Sequence, residues 1–126
     1  MRDGDYAGAA KSFQGYLATW PDGPDAPEAH YRLAETYYVG DDQKAAAEEY
    51  ARALKGWPRV EWAADANVKL AMALQNLGRS PDACSALVEF RKRYAASASQ
   101  TVKARADALE TKAQCKPATP PRRRGR

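Results

Sequence analysis

Histidine and cysteine are almost missing from this 126-residue chain, with one and two copies, and their scarcity removes whole classes of chemistry. His30 is the only imidazole, no Ser or Cys nucleophile motif accompanies it, and it falls three residues before Leu33 on a packing side, so it reads as a structural ring. Metal-ligand spacing is missing too. Asp41, Asp42, Glu48 and Glu49 look like cap and solvent-face residues, and a two-carboxylate hydrolase would need a pocket that no pattern indicates. The glycines stand at turns and not in a phosphate loop. The expectation is a non-enzymatic protein with no cofactor and no bound metal. Long apolar runs are absent, none approaching the roughly 18 residues that span a bilayer, and the N-terminus has no signal-peptide pattern. Ile, Val and Phe are scarce as well, so the 44% apolar fraction rests on Ala, which favours helix over strand.

What the chain has is periodicity. From Asp25 to Pro58 it reads DAPEAHYRLAETYYVGDDQKAAAEEYARALKGWP, two helical patterns joined at Gly40 and closed by Pro58. Leu33, Ala34 and Tyr37 hold the L-G-x2-Y spacing of a tetratricopeptide unit, and Ala46 and Tyr50 its A-x3-F spacing. Ala34 and Ala46 are the expected contact points of an antiparallel hairpin, because small residues let helices approach. The same marks recur 37 residues upstream at Ala9, Phe13 and Pro21, and 37 downstream at Leu70, Ala71, Leu74, Ala83 and Leu87. The 34-residue unit is lengthened, and the loops WPDGPDAP and GWPRVEWA account for the difference. The fold class expected is all-α, a tetratricopeptide-like right-handed stack of antiparallel helix pairs closed by a C-terminal capping helix.

Taken in order, the helices are expected at about 6–20, 26–39, from the Asp41–Asp42 pair to about 55, 60–77, from Pro81 to about 94, and 99–114. Asp25 with Glu28 reads as a capping-box-like pair, and Ser80 as an N-cap ahead of Pro81. Gly4 stands where the turn inside a pair belongs, so the chain is expected to begin within a repeat, leaving the Ala9, Phe13, Tyr16 and Leu17 stripe to dock on the next pair. Val102, Ala106, Leu109 and Ala113 give the sixth helix one apolar face. The domain boundary falls at 1–115, and 116–126 is a separate tail. That tail, KPATPPRRRGR, carries a charge of +5 against a total of +4, so the body is at 4 minus 5, or −1. It reads as a disordered solvated end, since no basic stripe with interleaved aromatics continues onto the helices, and nucleic acid is not a favoured partner. Cys84 near the start of helix five and Cys115 at the end of helix six would be neighbours in an antiparallel hairpin, where a bond closing about 30 residues adds roughly 3 kcal/mol. Such a bond requires an oxidising compartment such as a bacterial periplasm; the alternative is two reduced thiols in a cytosolic protein.

The run GDYAGAAKSFQGYLATWPDGPDAPEAHYRLAETYYVGDDQKAAAEEYARALKGWP, followed by WAADANVKLAMALQNLG, resembles the C-terminal tetratricopeptide domain of the CpoB (YbgF) family of Tol-Pal system proteins. The likeness covers about 4–115, with Gly4-Asp5-Tyr6, Trp20-Pro21 and Ala64-Asp65-Ala66 its most specific parts. It implies a periplasmic adaptor that binds TolA, and with it a peptidoglycan synthase, coordinating wall synthesis with outer-membrane constriction in cell division. The family's N-terminal coiled coil is not in this sequence, and homo-oligomers are expected only through such a segment. Competing readings are an outer-membrane assembly lipoprotein of the BamD type and a generic cytosolic adaptor. Within any of these, the residues left over after packing form the expected partner groove: Tyr31, Glu35 and Tyr38 on one first helix and, 37 residues on, Val68, Met72 and Gln75 on the next.

Overall fold

The helices begin on two registers of the same length. The computed structural model describes residues 6–115, and within it lie α1 (Tyr6–Thr19), α2 (Ala26–Val39), α3 (Gln43–Ala53), α4 (Ala63–Asn76), α5 (Ser80–Arg93) and α6 (Gln100–Lys112). First helices of a pair start at 26, 63 and 100, second helices at 6, 43 and 80, every interval being 37. The all-α repeat fold is thus written into the spacing. The capping helix α6 is itself on the register of a first helix. The expected turn at Gly4 and the basic tail 116–126 lie outside the described residues.

Turn chemistry repeats with the register. After α2 the amide of Asp42 donates to the Tyr37 carbonyl and that of Asp41 to Tyr38; after α4, Arg79 donates to Leu74 and Gly78 to Gln75, the same ring closures 37 residues on. The left-handed residue in these turns is Asp41 (φ 66°) in the first and Gly78 (φ 77°) in the second. Gly40, expected to end α2, keeps a right-handed backbone at φ −79°, and the strained position passes to Asp41, a residue type that tolerates it. Asp42 then caps α3 by accepting from the Ala45 amide at 3.2 Å.

Several local expectations are corrected. Asp25 occupies the N-cap of α2, but its side chain makes no capping bond and Glu28 reaches Arg32 at 3.3 Å instead. Ser80 lies inside α5, whose cap position is Arg79; its hydroxyl donates to Gln75 Oε1 at 2.8 Å, tying the turn to α4. α4 starts at Ala63 and not near 60, because Gly56 and Trp57 are both left-handed and Arg59 is held on the Arg93 carbonyl, so the chain needs a further turn before it can enter a helix. Glu49 is not a solvent-face residue. Its carboxylate is half-buried against His30 Nδ1 at 2.6 Å, which makes the lone histidine a strut between α2 and α3.

Packing follows the alanine pattern. Ala34, Ala46, Ala71 and Ala83 have no exposed surface, so each hairpin closes on a pair of small side chains. The volume beside them is filled by Tyr50, Phe90, Leu87 and Val68, all fully buried; removing a leucine- or phenylalanine-sized side chain from water stabilises by about 1.5–3 kcal/mol. Along the Trp20, Trp57, Tyr94 series, spaced by 37, exposure falls from 58% to half-buried to 3% as neighbours accumulate. Of α1, no residue from Ala7 onward is fully buried, and its stripe of Ala9, Phe13, Tyr16 and Leu17 rests half-covered on α2. α6 docks mainly on α4 through Ala106, Leu109 and Ala113, with Val102 half-buried. The Cys84–Cys115 disulfide, with Cα atoms 5.4 Å apart, fastens its C-terminal end to α5.

Asn67 shows how the register tolerates a polar residue. It sits where α2 has His30, 37 residues earlier, and its Nδ2 donates to the Ala86 carbonyl at 3.1 Å, at the position of Glu49 in the preceding pair. Its Oδ1 is buried with no partner. Asn67→Leu is expected to leave stability within about 1 kcal/mol of wild type, because the lost hydrogen bond is offset by relief of the orphaned acceptor. Urea titration of the two proteins checks this.

Candidate partner-binding face

Because the first helices share a register, residues 37 apart stand side by side on one face of the stack. The expected stripe Tyr31, Glu35, Tyr38 on α2 is followed by Val68, Met72, Gln75 on α4, and the same spacing continues to Arg105, Leu109 and Lys112 on α6. The first two stripes differ in what they offer. Tyr31 is 7% exposed, stacked on Trp62 with ring centroids 4.9 Å apart, and Val68 is 1% exposed. Both are committed to packing. Glu35 and Tyr38 are half-buried and converge on Tyr50, Tyr38 by an edge-to-face contact at 6.4 Å and Glu35 by accepting the Tyr50 hydroxyl. Met72 and Gln75 are half-buried and line a groove of about 220 Å³ with Arg105, Leu109 and Lys112.

Between α2 and α4 the face is polar and paired. Lys69 Nζ lies 3.0 and 2.9 Å from the two Glu35 oxygens and 3.1 Å from Asp65, which in turn accepts the Tyr31 hydroxyl at 2.8 Å. Arg105 joins from α6, 3.6 Å from Asp65. Two carboxylates, two cations and two phenols therefore link α2, α3, α4 and α6. A second cleft, of about 510 Å³ and lined by Arg59, Glu61, Asp65 and Val102 among others, lies towards the start of α4, so that the Asp65–Arg105 pair stands where the two depressions of the α4–α6 seam meet.

Sequence reasoning named Glu35, Tyr38, Met72 and Gln75 for this face; it did not name Asp65, Lys69, Arg105 or Lys112 there, and gave Leu109 only to the packing face of the sixth helix. The signal for Arg105, Leu109 and Lys112 was available: they lie 74 residues, two periods, after Tyr31, Glu35 and Tyr38. Asp65 and Lys69 had no such signal, since they reach α2 diagonally, 34 residues from their partners.

Burial, reinforced by the bond to Asp65, holds the Tyr31 phenol well above its ordinary range; burial and Glu35 do the same to Tyr50. For Lys69 burial pulls the ammonium down, but the hydrogen bond to Glu35 and the nearby Asp65 outweigh it, leaving a net rise above 10.5. All three keep their protons to higher pH in the fold than in the unfolded chain. The stability they add is therefore complete below about pH 10, the ordinary tyrosine value, and declines as pH rises further. The expected result is a urea midpoint that drops steadily above about pH 10, with tyrosinate absorbance from Tyr31 and Tyr50 appearing only as the protein unfolds. A midpoint unchanged through that range would contradict the paired face.

Stacked helix pairs on one register, with a continuous face of first helices and grooves along it, define a helical-repeat interaction scaffold. The comparison with known families agrees: one tetratricopeptide repeat family matches residues 1–61 and a second matches residues 65–97. The chain carries tetratricopeptide repeats through both halves, and it is a protein–protein interaction module. A comparison with curated proteins finds no match. Among the described residues no helix is long and apolar enough to cross a membrane.

Proposed function

We propose that this module serves the Tol-Pal system as a non-enzymatic periplasmic adaptor that binds TolA and, through it, couples a peptidoglycan synthase to outer-membrane constriction at division. The observation that carries the compartment is the Cys84–Cys115 disulfide, a bond that persists where thiols are oxidised. The partner rests on the resemblance of residues 4–115 to the CpoB family. The binding surface is the first-helix face, where Glu35, Tyr38, Met72 and Gln75 keep part of their surface open, while Tyr31 and Val68 support it from beneath. Purified oxidised protein is expected to bind a TolA fragment in calorimetry, and Tyr38→Ala or Met72→Ala to weaken that binding by roughly 1–2 kcal/mol each with the fold retained. No heat of binding with oxidised protein would sink the TolA role. Affinity unchanged from wild type in both folded variants would instead move the site off this face.

A further inference from the structure

We infer that the groove between α4 and α6 is the specificity pocket of the module, taking a large apolar side chain of a partner peptide that carries carboxylates beside it. This deepens the interaction-module reading and rests on it. The floor is apolar, made by half-buried Met72 over the buried Leu109, with Ala108 at the edge. Its volume of about 220 Å³ suits one leucine- or phenylalanine-sized group and no larger anchor. Gln75 and Asn76 sit at the α4 rim, their amides partly engaged by Ser80 and Gln43.

The charges around this floor are sorted. α6 carries Asp107 and Glu110 on the side facing α5, where both pair with Arg91, the latter at 2.9 Å. Lys103 shares that stripe, four and seven residues before them, whereas the other two cations of α6 go the other way. Arg105 and Lys112, seven residues apart and flanking Leu109 on one stripe, border the groove. Arg105 lies 3.6 Å from Asp65 Oδ1, the oxygen not engaged by Tyr31 and Lys69, and is half exposed, while Lys112 pairs with none of the described carboxylates. An apolar seat between two accessible cations is complementary to an apolar residue flanked by acids, and a basic peptide would meet like charge at both ends. The same register position on α2 holds Tyr31, Glu35 and Tyr38, so the cationic character belongs to the α6 end of the face alone.

The test uses a random peptide display library panned on the oxidised 126-residue chain, followed by fluorescence anisotropy of synthetic copies of the enriched peptides. Expected is enrichment of Leu or Phe within two positions of Asp or Glu. Lys112→Glu should weaken such peptides roughly tenfold and Met72→Ala comparably, whereas Lys44→Glu, a charge reversal at an exposed site on α3, should leave them unchanged. Raising the salt should weaken wild type more than Lys112→Glu. Thermal melts of each variant separate lost binding from lost fold. Enriched peptides without acids, or acidic ones indifferent to Lys112→Glu, would overturn this inference while the interaction-module reading stands. A library that yields no binder would count against the module reading itself, and this pocket with it. Binding of phosphatidylglycerol vesicles or single-stranded DNA that Lys112→Glu abolishes, with peptides unaffected, would reassign the cations and refute the proposal.

Discussion

Cys115→Ser is expected to lower stability by about 3.5 kcal/mol, the chain-entropy value for a bond closing 31 residues. For a domain of this size that corresponds to a fall in melting temperature of roughly 13 °C. The loss should concentrate in α6, because that helix fully buries little more than Ala106 and Leu109 and meets α5 only lightly. Released from Cys84, it would peel from α4, expose Met72 on the other wall of the groove and open the chain after Tyr94 to protease. Calorimetry of oxidised, reduced and Cys115→Ser protein measures the effect, and limited proteolysis locates it. Reduced and variant protein should match each other. A melting temperature unchanged by reduction would show that α6 is held by packing alone.

Tyr50→Ala is expected to be the most damaging single change, at about 3–5 kcal/mol, since Tyr50 is the largest fully buried side chain and the repeat offers no way to fill its space. The ring touches Tyr31 and Tyr38 at centroid distances of 6.2 and 6.4 Å, and its hydroxyl donates to Glu35. Tyr50→Phe separates these roles. It keeps the ring and removes one donor to a carboxylate that retains Lys69, so a smaller cost of about 1.5–2 kcal/mol is expected. Chemical denaturation of both variants gives the comparison. Equal losses would mean that the hydroxyl, and not the ring, carries the site.

The register was legible because small residues and aromatics repeat at fixed distance: Ala9, Ala46 and Ala83 predict all second helices, and Leu33 and Leu70 the first two first helices. Helix ends were less legible. Ser80 resembles a cap but is drawn to Gln75, and the start of α4 depends on the left-handed pair Gly56–Trp57, where Arg93 from α5 docks 4.3 Å over the Trp57 ring. Such contacts are distant in sequence. The face was half legible for a related reason. Periodicity names which residues share a stripe, but whether Tyr31 is buried or open depends on Trp62, a loop residue outside the repeat pattern that covers it.

Amide exchange of the oxidised protein, free and bound to a TolA fragment or to a selected acidic peptide, tests most directly that partners sit on the first-helix face. Protection is expected on α4 and α6 around Met72, Gln75, Leu109 and Lys112, with α3 and α5 unchanged. Protection confined to α3 and α5 would contradict the assignment of this face as the binding surface.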